Sequence, residues 1–288
     1  MVRSYQHFRL CANDFCGGCI AIFWRAGIGY ARPALKRPGY RATPPQGGLN
    51  GCTLWGQSWP VTSPRCGILI RMDTRPFPSI AAVIAAAGFS RRMGHFKQLL
   101  PWGDSTVIRT VFENLHGAGA EPILCVTGHR AVDVAAALEG SPACVVPNPD
   151  YASGEMLTSY QAGIGALLSS AFRIPHSALT GSLLALADQP HIPVDVIRRV
   201  VAQAQSTPEQ IVMPSHRMRR GHPIFLPRRL WGDLLALPAE GSLRQLMNRH
   251  SAEIMYVDVE TDAIRQDMDE WGEYERLREE FETQKREK

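Results

Sequence analysis

The chain has no long apolar run. Nothing in its 288 residues approaches the roughly 18 consecutive apolar positions that a membrane-crossing helix needs, and the early run 20–24 is too short for a signal-peptide core. A helical membrane protein is excluded, and the expectation is a soluble, cytoplasmic one. Cysteine is scarce past residue 71, where only Cys125 and Cys144 of the seven remain. Both fall in apolar, strand-like runs and read as core thiols in a reducing compartment. Acidic residues are nearly absent from the first quarter: residues 1–71 carry nine Lys/Arg against one acid, the remainder 22 against 26. The two parts are therefore +8 and −4, so the basic balance belongs to the first quarter and the rest is no general nucleic-acid binder.

Residues 1–71 also lack any sustained period of 2 or 3.6, and they hold ten Gly and six Pro. Their Cys11-x4-Cys16-x2-Cys19 spacing overlaps a plant-type ferredoxin run, with Cys52 or Cys66 available as a fourth ligand. The preferred reading is an irregular N-terminal extension, disordered or non-native, over 1–71. A single domain over 72–288 follows, starting at Met72.

What is present begins with an apolar, β-branched run, 80–86, ending in Ala87-Gly88-Phe89-Ser90-Arg91-Arg92-Met93-Gly94-His95-Phe96-Lys97. A buried strand that stops in Gly, Ser and Arg delivers a loop to its carboxyl end, where open α/β sheets bind ligands. Gly88 and Gly94 allow tight turns that point N–H groups at an anion, and Arg91, Arg92 and Lys97 add fixed positive charge. This reads as a phosphate cradle. Its Gly-x5-Gly-x2-Lys spacing is neither the Walker A pattern nor the dinucleotide fingerprint.

Strand and helix then alternate. Helices are expected over 105–116 (N-capped by Asp104 or Ser105), 132–138, 155–169 and 194–205, with strands over 122–127, 143–146, 183–187 and 210–213. Such alternation argues for parallel strands with right-handed crossovers. The helix opening at Gly154 carries Thr158 and Ser159 in its first turn, where hydroxyls can meet a ribose or phosphate. Asp188 follows a buried strand and precedes Gln189-Pro190, so its carboxylate is expected at the same edge as the loop. Later come a basic turn, Arg217 to Pro223, an apolar run 224–226, helices over 228–235 and 242–250, a strand over 254–257, Asp267-Met268-Asp269, and a final helix 271–281 ending in a frayed, charged tail.

Read as A-A-G-x-S-x-R-M-G-x-x-K, the loop resembles the signature of the molybdopterin nucleotidyltransferases within the NTP-transferase group. Leu-Ala-Leu-Ala-Asp-Gln-Pro resembles that family's metal-binding strand end, and Arg220-Gly221-His222-Pro223 resembles the segment of its cytidine-using branch. Asp267 and Asp269 match the family's Asp-x-Asp, while the turn after them departs from its pattern. The resemblance spans about residues 79–277. It implies a three-layer α/β domain with a mainly parallel sheet, Rossmann-related and glycosyltransferase-A-like. The implied reaction is transfer of CMP from CTP to the terminal phosphate of molybdopterin, serving a molybdenum hydroxylase client. It further implies that Arg92 and Lys97 act on the phosphates, and that Ala86, Ala87, Gly88, Ser90, Arg91, Gly94 and Ser159 contact the nucleotide. Arg220, Gly221, His222 and Pro223 would serve substrate selection, and Asp188 with Asp267 or Asp269 would hold magnesium. Ala86 stands where guanine-using relatives carry Gly, which implies a narrower space beside the base. Open alternatives are transfer to another phosphate or sugar phosphate, and a non-catalytic cofactor carrier.

Overall fold

The structure is a computed structural model that describes residues 79–152, 156–169 and 179–287. The 1–71 extension, its cysteines, Met72, Gly154 and Glu155 lie outside the described residues.

The first strand, β1 (Ser79–Ala86), is the centre of the sheet. It pairs in parallel with β4 (Ile123–Thr127) on one side and β6 (Leu179–Leu186) on the other. Beyond β4 lies β5 (Cys144–Pro147), also parallel. Buried on both faces, β1 is apolar at nearly every position, as a central parallel strand must be. Its even-numbered residues pack on α1 (Val107–Gly117), α2 (Ala131–Ala137) and α4 (Val194–Ser206). Its odd-numbered residues pack on α3 (Met156–Leu168), α5 (Trp231–Leu235) and α6 (Leu243–Arg249). Two helical layers thus enclose one sheet, and each fully buried Val, Leu or Ile side chain contributes about 1.5–3 kcal/mol. Gly163 sets the approach of α3: a Cβ there would lie 2.3 Å from Val83 Cγ1.

On the other flank the sheet is not parallel throughout. β7 (Ile211–His216) and β10 (Ile254–Asp258) pair in parallel, but β9 (Ile224–Pro227) runs antiparallel between β6 and β7. The cause is local. β7 turns directly into the short β8 (Arg219–Arg220) through a hairpin, so no crossover helix separates it from β9.

Elsewhere the alternation holds, with shifts at the ends. Residues expected to open the first helix instead pair as a small ladder, β2 (Pro101–Trp102) with β3 (Ser105–Thr106), and the cap is Thr106, whose hydroxyl accepts from Arg109 N at 3.4 Å. The last helix, α7 (Trp271–Arg286), continues through the stretch expected to fray. Arg276–Glu280 at 2.8 Å, Arg278–Glu282 at 3.6 Å and a Lys285–Asp104 pair hold it. Its inner face packs Tyr274 and Leu277 against Trp102, Val107, Met93 and Met268.

Candidate active site

Because β1 is flanked by parallel neighbours, its carboxyl end opens between the ends of β4 and β6, and the basic loop emerges there. The loop is tied shut by Ser90. Its hydroxyl donates to Gln98 Oε1 at 3.1 Å and accepts from Lys97 N at 3.3 Å, with Ser90 itself left-handed at φ 53° and Gly94 at φ 71°. Met93, buried against Trp102, anchors the middle of the loop. Arg91 lies over the Phe89 ring at 4.6 Å, which leaves its guanidinium exposed at the lip.

Lys97 starts a short 3-10 turn, Lys97–Leu99, and reaches across the sheet edge. Its ammonium bonds Asp188 Oδ2 and lies 3.1 Å from Asp269 Oδ1, while Arg92 donates to Asp269 Oδ2 at 2.8 Å. Burial pulls the Lys97 pKa down, but Asp188 and Asp269 outweigh it and leave the value raised, so the amine stays charged. The bond from Lys97 lowers the Asp269 pKa. Asp267 goes the other way: burial, then the charges of Asp188 and Asp269, raise it. Gln189, just after Asp188, holds Asp267 in place with a 3.1 Å bond from Nε2 to Asp267 Oδ1 and one of 3.2 Å to Gln266 O.

Asp188 Oδ1 is buried and has no partner. A buried carboxylate oxygen left unsatisfied is costly unless a ligand completes it. Among the described residues no three His, Cys, Asp or Glu side chains form a ready metal cage. Magnesium does not require one, since it is commonly held by one or two carboxylates with water and substrate phosphates. Asp188, with Asp269 or Asp267 beside it, fits that donor set.

Next to this cluster is a cleft of about 240 Å³ lined by Ala85, Ala87, Gly88, Lys97, Gln98, Tyr151, Ser159 and Asp188. Ala87, Gly88 and Lys97 of the loop, Ser159 and Asp188, from three separate stretches of sequence, therefore meet at one opening. Ser159 is buried, and its hydroxyl takes a 3.2 Å bond from Asn148 Nδ2, which also bonds Thr158 at 3.1 Å. Ala86 is not at the opening: strand alternation turns its methyl into the α1-side core, and Ala85 and Ala87 form the wall.

The Arg-Gly-His-Pro segment is divided. Arg220 is exposed on β8, whereas His222 and Pro223 turn inward against Asn114, Ile192 and Gln189 on the α1 side. His222 Nε2 is buried without a partner, and burial drives its pKa down to about 4 despite the nearby Asp188 charge. Gly221 is needed for close approach, because a Cβ there would sit 2.1 Å from Ile264 O. The segment's register explains the division. β7 pairs Ser215 with Arg220 but Val212 with Phe225, so two extra residues bulge between β8 and β9 and re-aim the chain.

Gln98, Tyr151, Asn148 and Gln189 were not singled out by sequence reasoning. Only Gln189, adjacent to Asp188, had a signal in its position. The others are found through contacts made by the fold.

A Molybdenum cofactor cytidylyltransferase from Escherichia coli (strain K12) is 30% identical over 194 residues, covering 66% of this chain and 91% of that protein. A Nicotine blue oxidoreductase from Paenarthrobacter nicotinovorans is also 30% identical, over 54% of this chain and 74% of that protein. Among solved structures, a Mycobacterium tuberculosis protein in complex with manganese superposes with a TM-score of 0.54 at 28% identity, covering 70% of this chain and 98% of that one. Residues 82–254, more than half of the chain, match the MobA-like NTP transferase domain, and the chain belongs to this nucleotidyltransferase family.

Proposed function

We propose that the protein transfers CMP from CTP to the terminal phosphate of molybdopterin and releases pyrophosphate, in the cytoplasm and for a molybdenum hydroxylase client. The observation that carries this reading is the meeting of Lys97, Asp188 and Asp269 at the mouth of the cleft formed by the glycine-rich loop. The choice of CTP and of acceptor is supported by the cytidylyltransferase relative and by the resemblance of Arg220, Gly221, His222 and Pro223 to the cytidine-using branch. The Ala86 methyl faces the core and adds nothing to this choice.

The chemistry needs little base catalysis. A phosphate monoester with a second pKa of about 6 is already largely dianionic at pH 7. The obstacle is an anionic nucleophile approaching an anionic triphosphate, so catalysis is positioning plus electrostatic stabilisation. Amides of the loop around Gly88 and Gly94 would hold phosphate oxygens, with Arg91 and Arg92 at the exposed lip. The Lys97 ammonium, kept charged by its carboxylates, would face the transferring phosphoryl group. Ser159, oriented by Asn148, would meet the nucleoside. Magnesium held by Asp188 with Asp269 or Asp267 would neutralise triphosphate charge.

The test is pyrophosphate release with CTP or GTP, molybdopterin and magnesium. CTP- and acceptor-dependent release supports the reading. Release with sugar phosphates alone redirects the acceptor, and stoichiometric binding of molybdopterin without release makes the protein a carrier. Oxidation or reduction of a substrate without nucleotide use would align it with the oxidoreductase relative instead.

A further inference from the structure

An open groove of about 610 Å³ lies at the β7–β8 hairpin, walled by His216, Arg217 and Arg219 on one side and Glu260, Asp262 and Arg265 on the other. β6 and β7 are both antiparallel to β9, so they point the same way and His216 sits at the sheet edge that carries Asp188. The far wall leads straight into the acid cluster: Arg265 to Asp269 spans at most about 14 Å of extended chain. That segment is pinned by His191 Nε2, 3.1 Å from both Ala263 O and Gln266 O, and by Gln189. Groove and acid cluster are two ends of one fixed stretch.

The groove's charges are unspent. Among the described residues, Arg217, Arg219, Arg265, Glu260 and Asp262 form no ion pair, although both signs line the same groove. The hairpin also holds Arg217 at φ 48° and Met218 at φ 65°, left-handed positions that Asn and Gly would occupy at lower cost. Strain of this kind, kept at an observed outlier, points toward use of the side chains it presents.

We propose that this groove is the acceptor site and takes the pterin ring system of molybdopterin; the inference rests on the cytidylyl-transfer reading above. A pterin presents a 2-amino-4-oxo edge whose N–H groups suit the acceptor-only carboxylates of Glu260 and Asp262. The dithiolene and phosphate are anionic and suit the guanidiniums of Arg217, Arg219 and Arg265. A ligand that is only an anion would be repelled by the two carboxylates, so the mixed lining selects a ligand carrying both donor edge and negative charge. Seated there, the acceptor's phosphate is directed along the 265–269 segment toward Lys97.

The test measures molybdopterin binding to the full chain by pterin fluorescence, without CTP, and CTP binding separately by calorimetry. Arg219→Ala and Arg265→Ala each raise the molybdopterin Kd by about tenfold, as loss of one charge-assisted contact does, with CTP affinity unchanged. Glu260→Gln combined with Asp262→Asn raises the molybdopterin Kd as well. Wild-type Kd in these variants overturns the groove assignment, and so does tighter binding in the acid-to-amide variant, which marks a plain anion site. A wild-type protein that turns over CTP with another acceptor and binds no molybdopterin overturns the acceptor reading on which the inference rests.

Discussion

The ammonium of Lys97, carried by the loop after β1, bonds the carboxylate of Asp188 at the end of β6, 91 residues away in sequence. The contact joins the two elements that flank the cleft and sets one positive charge between two carboxylates at its mouth.

Lys97→Met removes that charge and leaves Asp188 and Asp269 facing each other. Loss of one preorganised electrostatic contact of this kind costs about 10²–10³ in rate. The expected result is a fall of that size in kcat/KM for CTP with a cooperative melt retained. Activity within a few-fold of wild type would remove Lys97 from the phosphoryl-transfer machinery.

His222 makes folding sensitive to acid. Its folded pKa, pushed down to about 4, lies below the unfolded value of about 6.5, so the unfolded chain binds the extra proton. Stability is full above about pH 6.5 and falls as pH drops toward 4. By linkage the loss at pH 5 is about 2 kcal/mol for a group shifted this far. Urea denaturation at pH 7.5 and pH 5.0 should show that difference in wild type and a smaller one in His222→Gln. Equal pH dependence in both proteins would mean that His222 is not buried in its neutral form.

Gly221 joins the hairpin to the segment that carries Asp267 and Asp269. Gly221→Ala forces its Cβ to within 2.1 Å of Ile264 O, and backbone cannot yield as a flexible side chain does. The variant should lose about 1–3 kcal/mol of stability, the scale of overpacked sites, and lose activity with it. Wild-type melting would show that the hairpin and the 262–265 turn are farther apart than described.

Much of this was legible before the fold was known. Strand and helix alternation is written in local period, so β1, β4, β5, β6, α1, α3 and α4 were anticipated to within a few residues. Lys97, Asp188 and Asp269 were chosen from motifs, and the fold brings them together. The antiparallel β9 was not legible, because a short apolar run after a hairpin carries no signal of direction. Nor was the inward turn of His222, which depends on a two-residue bulge, or the bond from Asn148 to Ser159. The direction of the Ala86 methyl, which enters the core on the α1 side, was not legible either, because pattern places a residue on a strand without saying which face it packs.

The break in composition at residue 71 makes a separate forecast about the domain boundary. A protein beginning at Met72 should express, melt cooperatively and keep full activity, since the matched family region starts at residue 82. If it is inactive, or if the full chain purifies with stoichiometric iron or zinc that Cys16→Ser removes, the extension is a working part of the protein.

The most direct test of the central claim follows radiolabelled CMP from α-labelled CTP onto molybdopterin, with wild type and Asp188→Asn compared at saturating magnesium. Asp188→Asn keeps shape and removes the charge that faces Lys97 and that would hold magnesium. The account predicts labelled product with wild type and a loss of about 10²–10³ in rate with the variant. Transfer by Asp188→Asn at the wild-type rate, or no labelled molybdopterin with wild type, would contradict it.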